Sequence, residues 1–315
     1  MTHLPLPTFL RRLVAEPPPA YLFEVSSAAL AMVAPAAPGT LKQEPLPPST
    51  LNVSPASSNL PNAEPFRAAL DRLVGAVPGK RATAALVIPD FAARMAVLDF
   101  DELPDDAAQR ASLIRFRLRK SVPFAIDEAQ VSYTLQRRDD SRAEVLAVAI
   151  DRNVLKEYEG VFVNAGFRVG LVTPSSLACL PLCRLNSDEP ALTLLLKLSG
   201  SILTVMLIDG EAIRLVRCVD FTEPAQNGDR AQAGFRSFSP VDESMPVLSQ
   251  TLAYAEDELG RRVKRLLLSG FGEHDAELSL LAEQEVLLTA ETLRSRFAPA
   301  QSFAGLLGLL EHYAA

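Results

Sequence analysis

The chain of 315 residues has no tryptophan, three cysteines, and only three histidines, His3, His274 and His312. So few imidazoles remove most routes to Ser–His or Cys–His nucleophilic catalysis, which sets an ordinary hydrolase aside. Cys179 and Cys183 lack a second Cys/His pair, and a structural zinc site needs four such ligands. An odd cysteine count argues against a disulfide framework and fits a reducing cytoplasm. No apolar run approaches the roughly 18 residues of a membrane span. The opening MTHLPLPTFLRRLVAEPPPAY is too broken by proline for a signal peptide. A basic excess is missing too: 31 Lys and Arg against 38 Asp and Glu give a net charge of -7. That argues against nucleic acid as a partner. What is present, 48% hydrophobic and 22% charged residues, is the balance of a globular protein long enough for about two domains.

Proline is concentrated early, with 13 of the 24 before residue 66. Within that stretch Tyr21 to Val33 reads as a hairpin about Ser26-Ser27. Residues 34–65 read as a long irregular connection with an edge strand at Leu51 to Val53. The spacing of Phe66, Leu70, Leu73 and Val77 predicts a helix over 64–77, followed by a buried strand over 83–88 that Pro89-Asp90 stops. Another strand is expected over 93–100. Asp105 and Asp106 then cap a helix in which Ala107, Ala111, Ile114, Leu118 and Val122 form an apolar stripe, opposite Arg110, Arg115, Arg117, Arg119 and Lys120. A strand pair (131–136 and 144–150), a helix over 151–165, a strand over 169–173 and a short helix over 174–183 complete the first half. The second half opens with a meander over 193–198, 202–208 and 212–219, turned by Asp209-Gly210. A flexible loop over 222–242, a helix over 243–259, a strand over 265–269, a helix over 276–283, a strand over 286–288 and a final helix over 302–313 follow. Each half thus opens with a hairpin or meander and then mixes strands with helices, which suggests two α/β lobes facing one cleft.

The run LVIPDFAARMAVLDFDELPDD and then LIRFRLRKSVPFAIDEAQVSYTLQ, between residues 86 and 136, resembles the PilM-like proteins of type IV pilus assembly. Arg119-Lys120-Ser121-Val122-Pro123-Phe124 followed by Asp127-Glu128 carries the match, with weaker echoes in LLLSGFG at 266–272 and AGLLGLLEH at 304–312. The resemblance implies a two-lobed actin-like (ribonuclease H-like) ATPase fold of α/β class with an FtsA-type extra subdomain. The boundaries it implies are 1–20 as an extension, 21–90 as the first-lobe core, 91–170 as the extra subdomain with its return, 171–190 as a connection, and 191–315 as the second lobe. It further implies a cytoplasmic scaffold, peripheral to the inner membrane and reaching it only indirectly, that holds the N-terminal tail of a PilN-like membrane protein. Contacts with pilus assembly ATPases and with a second copy are further possibilities of that family. The cytoplasmic part of GspL in type II secretion has the same layout.

Relatives bind ATP in the interlobe cleft, and there this chain departs. Where the family's first phosphate loop has Asp, Gly and Lys, this chain has Glu24, Ser26-Ser27 and Ala31. The second loop is Lys197-Leu198-Ser199-Gly200-Ser201, with a lysine where relatives carry the metal-side carboxylate. The adenosine-side turn survives better as Ser269-Gly270-Phe271-Gly272. These residues together form a degenerate nucleotide site. Expected from it are no catalytic residue, no metal and no obligatory cofactor, with ATP as the one candidate ligand. An active ATP-driven switch is the alternative, and an FtsA-like polymer former with a terminal membrane anchor a third. Lys197 reads either as a plain surface lysine or as a phosphate partner without metal. Arg115, Arg119, Lys120, Pro123 and Phe124 read either as a partner surface or as a solvated face with a core-anchored helix exit. Leu4, Leu6, Phe9, Leu10, Leu13 and Val14 give residues 1–20 an apolar side, either to dock or to fray.

Overall fold

The computed structural model describes residues 17–75, 82–138, 142–185, 191–222, 239–298 and 302–314. The apolar segment 1–16, Val77 and most of the 222–242 loop lie outside them. Among the described residues the strands form three sheets.

The first sheet has the order β3-β2-β1-β4-β8. Its strands β1 (Tyr21–Val25), β2 (Ala29–Ala34) and β3 (Ala37–Pro45) form an antiparallel meander, and β4 (Thr83–Ile88) and β8 (Arg168–Pro174) add in parallel. The second sheet, β11-β10-β9-β12-β13, repeats that plan. Here β9 (Leu192–Ser199), β10 (Ile202–Asp209) and β11 (Ala212–Asp220) are antiparallel, and β12 (Arg265–Ser269) and β13 (Ala290–Thr292) parallel. The duplication that the sequence pattern suggests is therefore present strand for strand. A third sheet, β5-β7-β6, is antiparallel and is inserted after β4, from β5 (Arg94–Phe100), β6 (Ala129–Arg138) and β7 (Ala143–Asp151).

Helices cover these sheets. They are α1 (Glu64–Val74), α2 (Ala107–Leu118), α3 (Arg152–Asn164), α4 (Ser175–Ala178), α5 (Leu180–Arg184), α6 (Pro240–Asp257), α7 (Asp275–Val286) and α8 (Ala304–Tyr313). The caps follow local chemistry: the Asp106 carboxylate accepts from the Gln109 N–H, and the Ser239 hydroxyl from the Asp242 N–H.

Three expectations fail. Leu51 to Val53 is not a strand; the edge strand is β3, whose Pro38 and Pro45 read as breakers but are tolerated where one side of the strand is unpaired. Residues 286–288 are not a strand either: α7 runs to Val286, Leu287 takes a left-handed φ of 58°, and the strand begins at Ala290. Ala107 belongs to no apolar stripe, because in α2 only Ile114 and Leu118 are buried.

One apolar cluster runs through both lobes. It joins Leu22, Ala85 and Val87 of the first sheet to Leu195, Met206 and Leu267 of the second, with α8 between them, and Met95, Val97 and Leu146 of the inserted sheet pack against it. The inserted sheet is also bolted to β11. Gln136 acts as a surrogate strand there: its side-chain Oε1 accepts from the Ile213 N–H at 2.7 Å and its Nε2 donates to the Ile213 carbonyl at 2.8 Å. Arg214 beside it bridges Glu144 and Asp209. Gln136→Ala is expected to cost about 1–2 kcal/mol in urea unfolding, since one truncation strands two partly buried backbone groups. Loss of less than a few tenths would mean that water replaces the amide fully.

Candidate functional site

The two lobes meet over a charged cluster built from the ends of four strands. Parallel β4 is buried and apolar until Pro89 ends it, which drops Asp90 into a 3-10 turn over Asp90–Ala92, only 4% exposed. From the facing lobe, β9 is buried from Leu192 to Leu198 and presents Lys197 two residues before its end, 6% exposed. Lys197 Nζ donates to Asp90 Oδ2 at 3.1 Å, and the Thr204 hydroxyl of β10 donates to the same oxygen at 3.0 Å. Asp90 Oδ1 accepts from the Ser176 N–H at 2.7 Å. Both carboxylate oxygens of Asp90 thus accept hydrogen bonds, and two of the three donors come from the opposite lobe. Lys197 is no surface lysine, as the residue type alone suggests; it is the buried half of an interlobe ion pair.

Glu24 of β1 completes the cluster. One of its oxygens accepts from the Leu306 N–H at 2.7 Å, the other from the Ser175 hydroxyl. Leu306 lies in the first turn of α8, so the carboxylate sits where that helix leaves donors unsatisfied and where its dipole favours an anion. Burial nevertheless raises the Glu24 pKa, outweighing Lys197, Ser175 and the Leu306 N–H, which all favour the anion. Burial also opposes the charge on Lys197, but there Asp90 and Glu24 together win and its pKa is raised.

The sign for Glu24 follows. A raised folded pKa means that the folded state binds the proton more tightly. Its contribution is fully present below the ordinary value of 4.5 and is lost as pH rises through the folded value. Glu24→Gln should therefore flatten this part of the pH dependence of unfolding above pH 4.5. Parallel curves for the two proteins would remove the argument.

The space left in this cluster is small. Glu24, Ser26, Lys197, Ser199 and Ser269 line one chamber with Ser175, Pro89 and the start of α8, and its volume is about 20 Å³. That is room for one water, not for a polyphosphate. Ser27 and Gly200 sit outside it, at the touching tips of the β1–β2 and β9–β10 hairpins, where a Cβ on Gly200 would lie 3.6 Å from the Ser27 hydroxyl. They line a second interlobe pocket of about 220 Å³ with Asn52, Asp90, Phe91 and Asp220. Gly270 has φ of +83°, and a Cβ there would fall 2.0 Å from the Leu198 carbonyl oxygen. Its glycine is demanded by packing against β9. A Cβ at Gly272 would meet nothing within 4 Å, although its φ of +61° still favours glycine.

The five residues of the expected partner surface are spread over different roles. Arg115 is half-buried: its guanidinium donates to the Ile126 carbonyl at 2.7 Å and to that of Ala129 at 3.3 Å, tying α2 to the start of β6. Arg119 is exposed and makes a 3.5 Å surface pair with Asp127. Lys120 and Pro123 are exposed, and Phe124 packs half-buried on the Ile126 cluster. Reading the sequence missed Asp90, Ser175, Ser176 and Thr204. The one signal available was an acid directly after the proline that ends a buried strand.

Two lobes with the same five-strand order, a cleft between them and paired hairpins at its floor define an actin-like ATPase fold. The fold is similar to that of the PilM–PilN type IV pilus biogenesis complex, with 15% identity, 94% of this chain and 98% of that chain covered, and a TM-score of 0.68. It is also similar to a Bacteroides thetaiotaomicron protein with actin-like ATPase fold and unknown function, at 10% identity, 92% and 94% coverage, and TM-score 0.52. The cytoplasmic domain of EpsL, an inner-membrane component of the type II secretion system of Vibrio cholerae, aligns at 12% identity over 94% of each chain, with a TM-score of 0.47, too low to argue from. No family model matches the sequence, and no curated protein matches it.

Proposed function

We propose that this protein is a non-enzymatic scaffold of type IV pilus assembly, whose actin-like cleft is held by its own side chains instead of by nucleotide. The observation that carries this reading is the Lys197–Asp90 pair, with Glu24 on the N-terminus of α8. A triphosphate would have to enter beside two carboxylates, displace one from a helix N-terminus that ordinarily suits an anion, and find the only buried cation among the described residues, Lys197, already paired. A divalent metal would meet Lys197 where a ligand is needed. The fold similarity to the PilM–PilN complex supports the partner: the N-terminal tail of a PilN-like inner-membrane protein, bound as a short peptide by apolar anchors and main-chain hydrogen bonds. Such a tail would hold the protein at the cytoplasmic face of the inner membrane. Among the described residues no helix is long and apolar enough to cross a membrane.

The test is calorimetry on the purified protein, with ATP with and without Mg²⁺, and separately with a synthetic PilN-like tail. Saturable heat from the peptide and none from millimolar ATP is the expected result. Mg²⁺-dependent ATP binding in the micromolar range would overturn the scaffold reading in favour of a switch. Absence of peptide binding would remove the partner.

A further inference from the structure

The second lobe carries a long stretch of sequence without a basic chain. From Leu266 to Leu293 there is no Lys or Arg, while Glu273, Asp275, Glu277, Glu283, Glu285 and Glu291 supply six carboxylates. Helix α7 lies in the middle of that stretch and turns Leu278, Leu281, Ala282 and Val286 to the second-lobe core. Its opposite side is apolar at two points. Leu280 is 55% exposed, and Leu287, seven residues on, is 85% exposed. At 1.5 Å per residue they stand about 10 Å apart along one stripe. The exposed Glu277 and Glu283, three residues before and after Leu280, flank that stripe on its two sides. His274, the one ring in the stretch that can carry a positive charge, lies 3.7 Å from Glu277.

Leu287 also holds a conformation that leucine disfavours. It follows α7 with φ of 58°, the left-handed region where glycine or asparagine is usual. Glycine would close the helix there without strain and without placing an isobutyl group in water. Local stability argues against leucine at this position, and residues that break a local rule are expected where a function outside the fold uses them.

We propose that this side of α7 is a docking surface for a basic amphipathic helix of another protein. Charge selects the occupant. An anionic membrane and a nucleic acid are both repelled by Glu277 and Glu283, and a phosphate backbone offers nothing to Leu280 and Leu287. A helix with apolar residues three and four apart, flanked by Lys or Arg, meets both needs. Its apolar stripe covers the two leucines, and its cations face the two glutamates. Those charge pairs sit at the rim, so salt weakens the contact without abolishing it. The surface uses no residue of the cleft, so it stands whether or not a PilN-like tail binds.

The experiment is fluorescence anisotropy of a labelled synthetic helix of Leu, Ala and Lys, titrated with the full chain, beside a twin in which every Lys is Glu. The Lys helix should bind saturably and the Glu helix should not. Leu287→Gly is the decisive variant: it relieves the left-handed strain, so the protein should unfold at a higher temperature while the Lys helix binds roughly tenfold more weakly or worse. Glu277→Lys with Glu283→Lys should exchange the preference, so that the Glu helix binds and the Lys helix does not. Glu64→Lys, an exposed carboxylate on α1 in the other lobe, should change nothing. Failure of the Lys helix to bind overturns the proposal. So does binding that Leu287→Gly leaves unchanged, which would be diffuse attraction to an acidic protein. Flotation with phosphatidylglycerol vesicles and sedimentation of the chain alone test the other occupants. Vesicle binding or self-association that Leu287→Gly abolishes would give the face to a membrane or to a second copy, and would equally overturn it.

Discussion

Asp90→Ala is expected to destabilise the protein by about 3–5 kcal/mol, because it leaves Lys197 buried, charged and without its partner. The Thr204 hydroxyl and the Ser176 N–H lose their acceptor in the same step. Replacing both charges, as in Asp90→Leu with Lys197→Met, should recover most of that loss, since well-packed apolar residues often match a buried ion pair. The pH dependence gives a further check. In the wild type the Lys197 pKa is raised, so its contribution is present below the ordinary value of 10.5 and lost as pH rises through the folded value. Without Asp90, burial is the leading influence and favours neutral lysine. Glu24 is then the main group left to oppose it, so the folded pKa drops from its wild-type position and the contribution of the pair is lost. The two proteins should therefore differ most near neutrality and converge in alkali. Urea unfolding of the three proteins at several pH values measures all of this. A loss below about 1 kcal/mol for Asp90→Ala would mean that water or Glu24 replaces the aspartate, and the cleft would not be held as described.

Why that pair escaped the sequence reading is instructive. Most of the repeated plan, though neither β3 nor β13, was legible because it rests on local signals: uninterrupted apolar runs for the parallel strands β4 and β12, alternation and an Asp-Gly turn for the meander over β9 to β11. Glu24, Ser26, Ser199 and Ser269, at or just past strand ends, were legible as a group because the fold resemblance ordered the turns they flank, and they do line one chamber. Lys197 was seen, but its meaning depends on Asp90, 107 residues earlier in the chain. No periodicity links two such positions. Asn59 is a parallel case. It is fully buried; its amide donates to the Ser54 and Ser57 carbonyls, and its oxygen accepts from Ser54 N–H and the Tyr158 hydroxyl. One residue thus organises a stretch that reads as irregular, and nothing around it in sequence says so. The edge strand β3 was lost for the opposite reason: its prolines gave a strong local signal that the unpaired side of an edge makes irrelevant.

Gly308→Ala is the second large effect, and it tests whether α8 is the spacer between the lobes. The helix is apolar almost all round and buried from Ala304 to Glu311. Such a helix approaches its neighbours only as closely as its smallest residues permit. A Cβ on Gly308 would lie 2.1 Å from the Ala178 carbonyl oxygen and 2.6 Å from the Cys179 Cα; on Gly305 it would lie 2.6 Å from Val87 Cγ1 and 2.7 Å from the Ser175 hydroxyl. The atoms met at Gly308 are backbone of α4 and the turn after it, which cannot rotate away, so α8 itself must shift. That shift pulls the Leu306 N–H off Glu24, whose second oxygen is held by Ser175 beside Gly305. We expect a loss of about 3 kcal/mol for Gly308→Ala, at the upper end for overpacking, since a helix and a buried carboxylate move together. Gly160→Ala in α3 is the control: a Cβ there meets nothing within 4 Å, and helix propensity alone should add up to about 1 kcal/mol of stability. Opposite signs for the same chemical change in two helices would show that the close seat of α8, rather than glycine content, holds the lobes together. Two stabilised proteins would mean that α8 has room to spare and that Glu24 does not depend on its position.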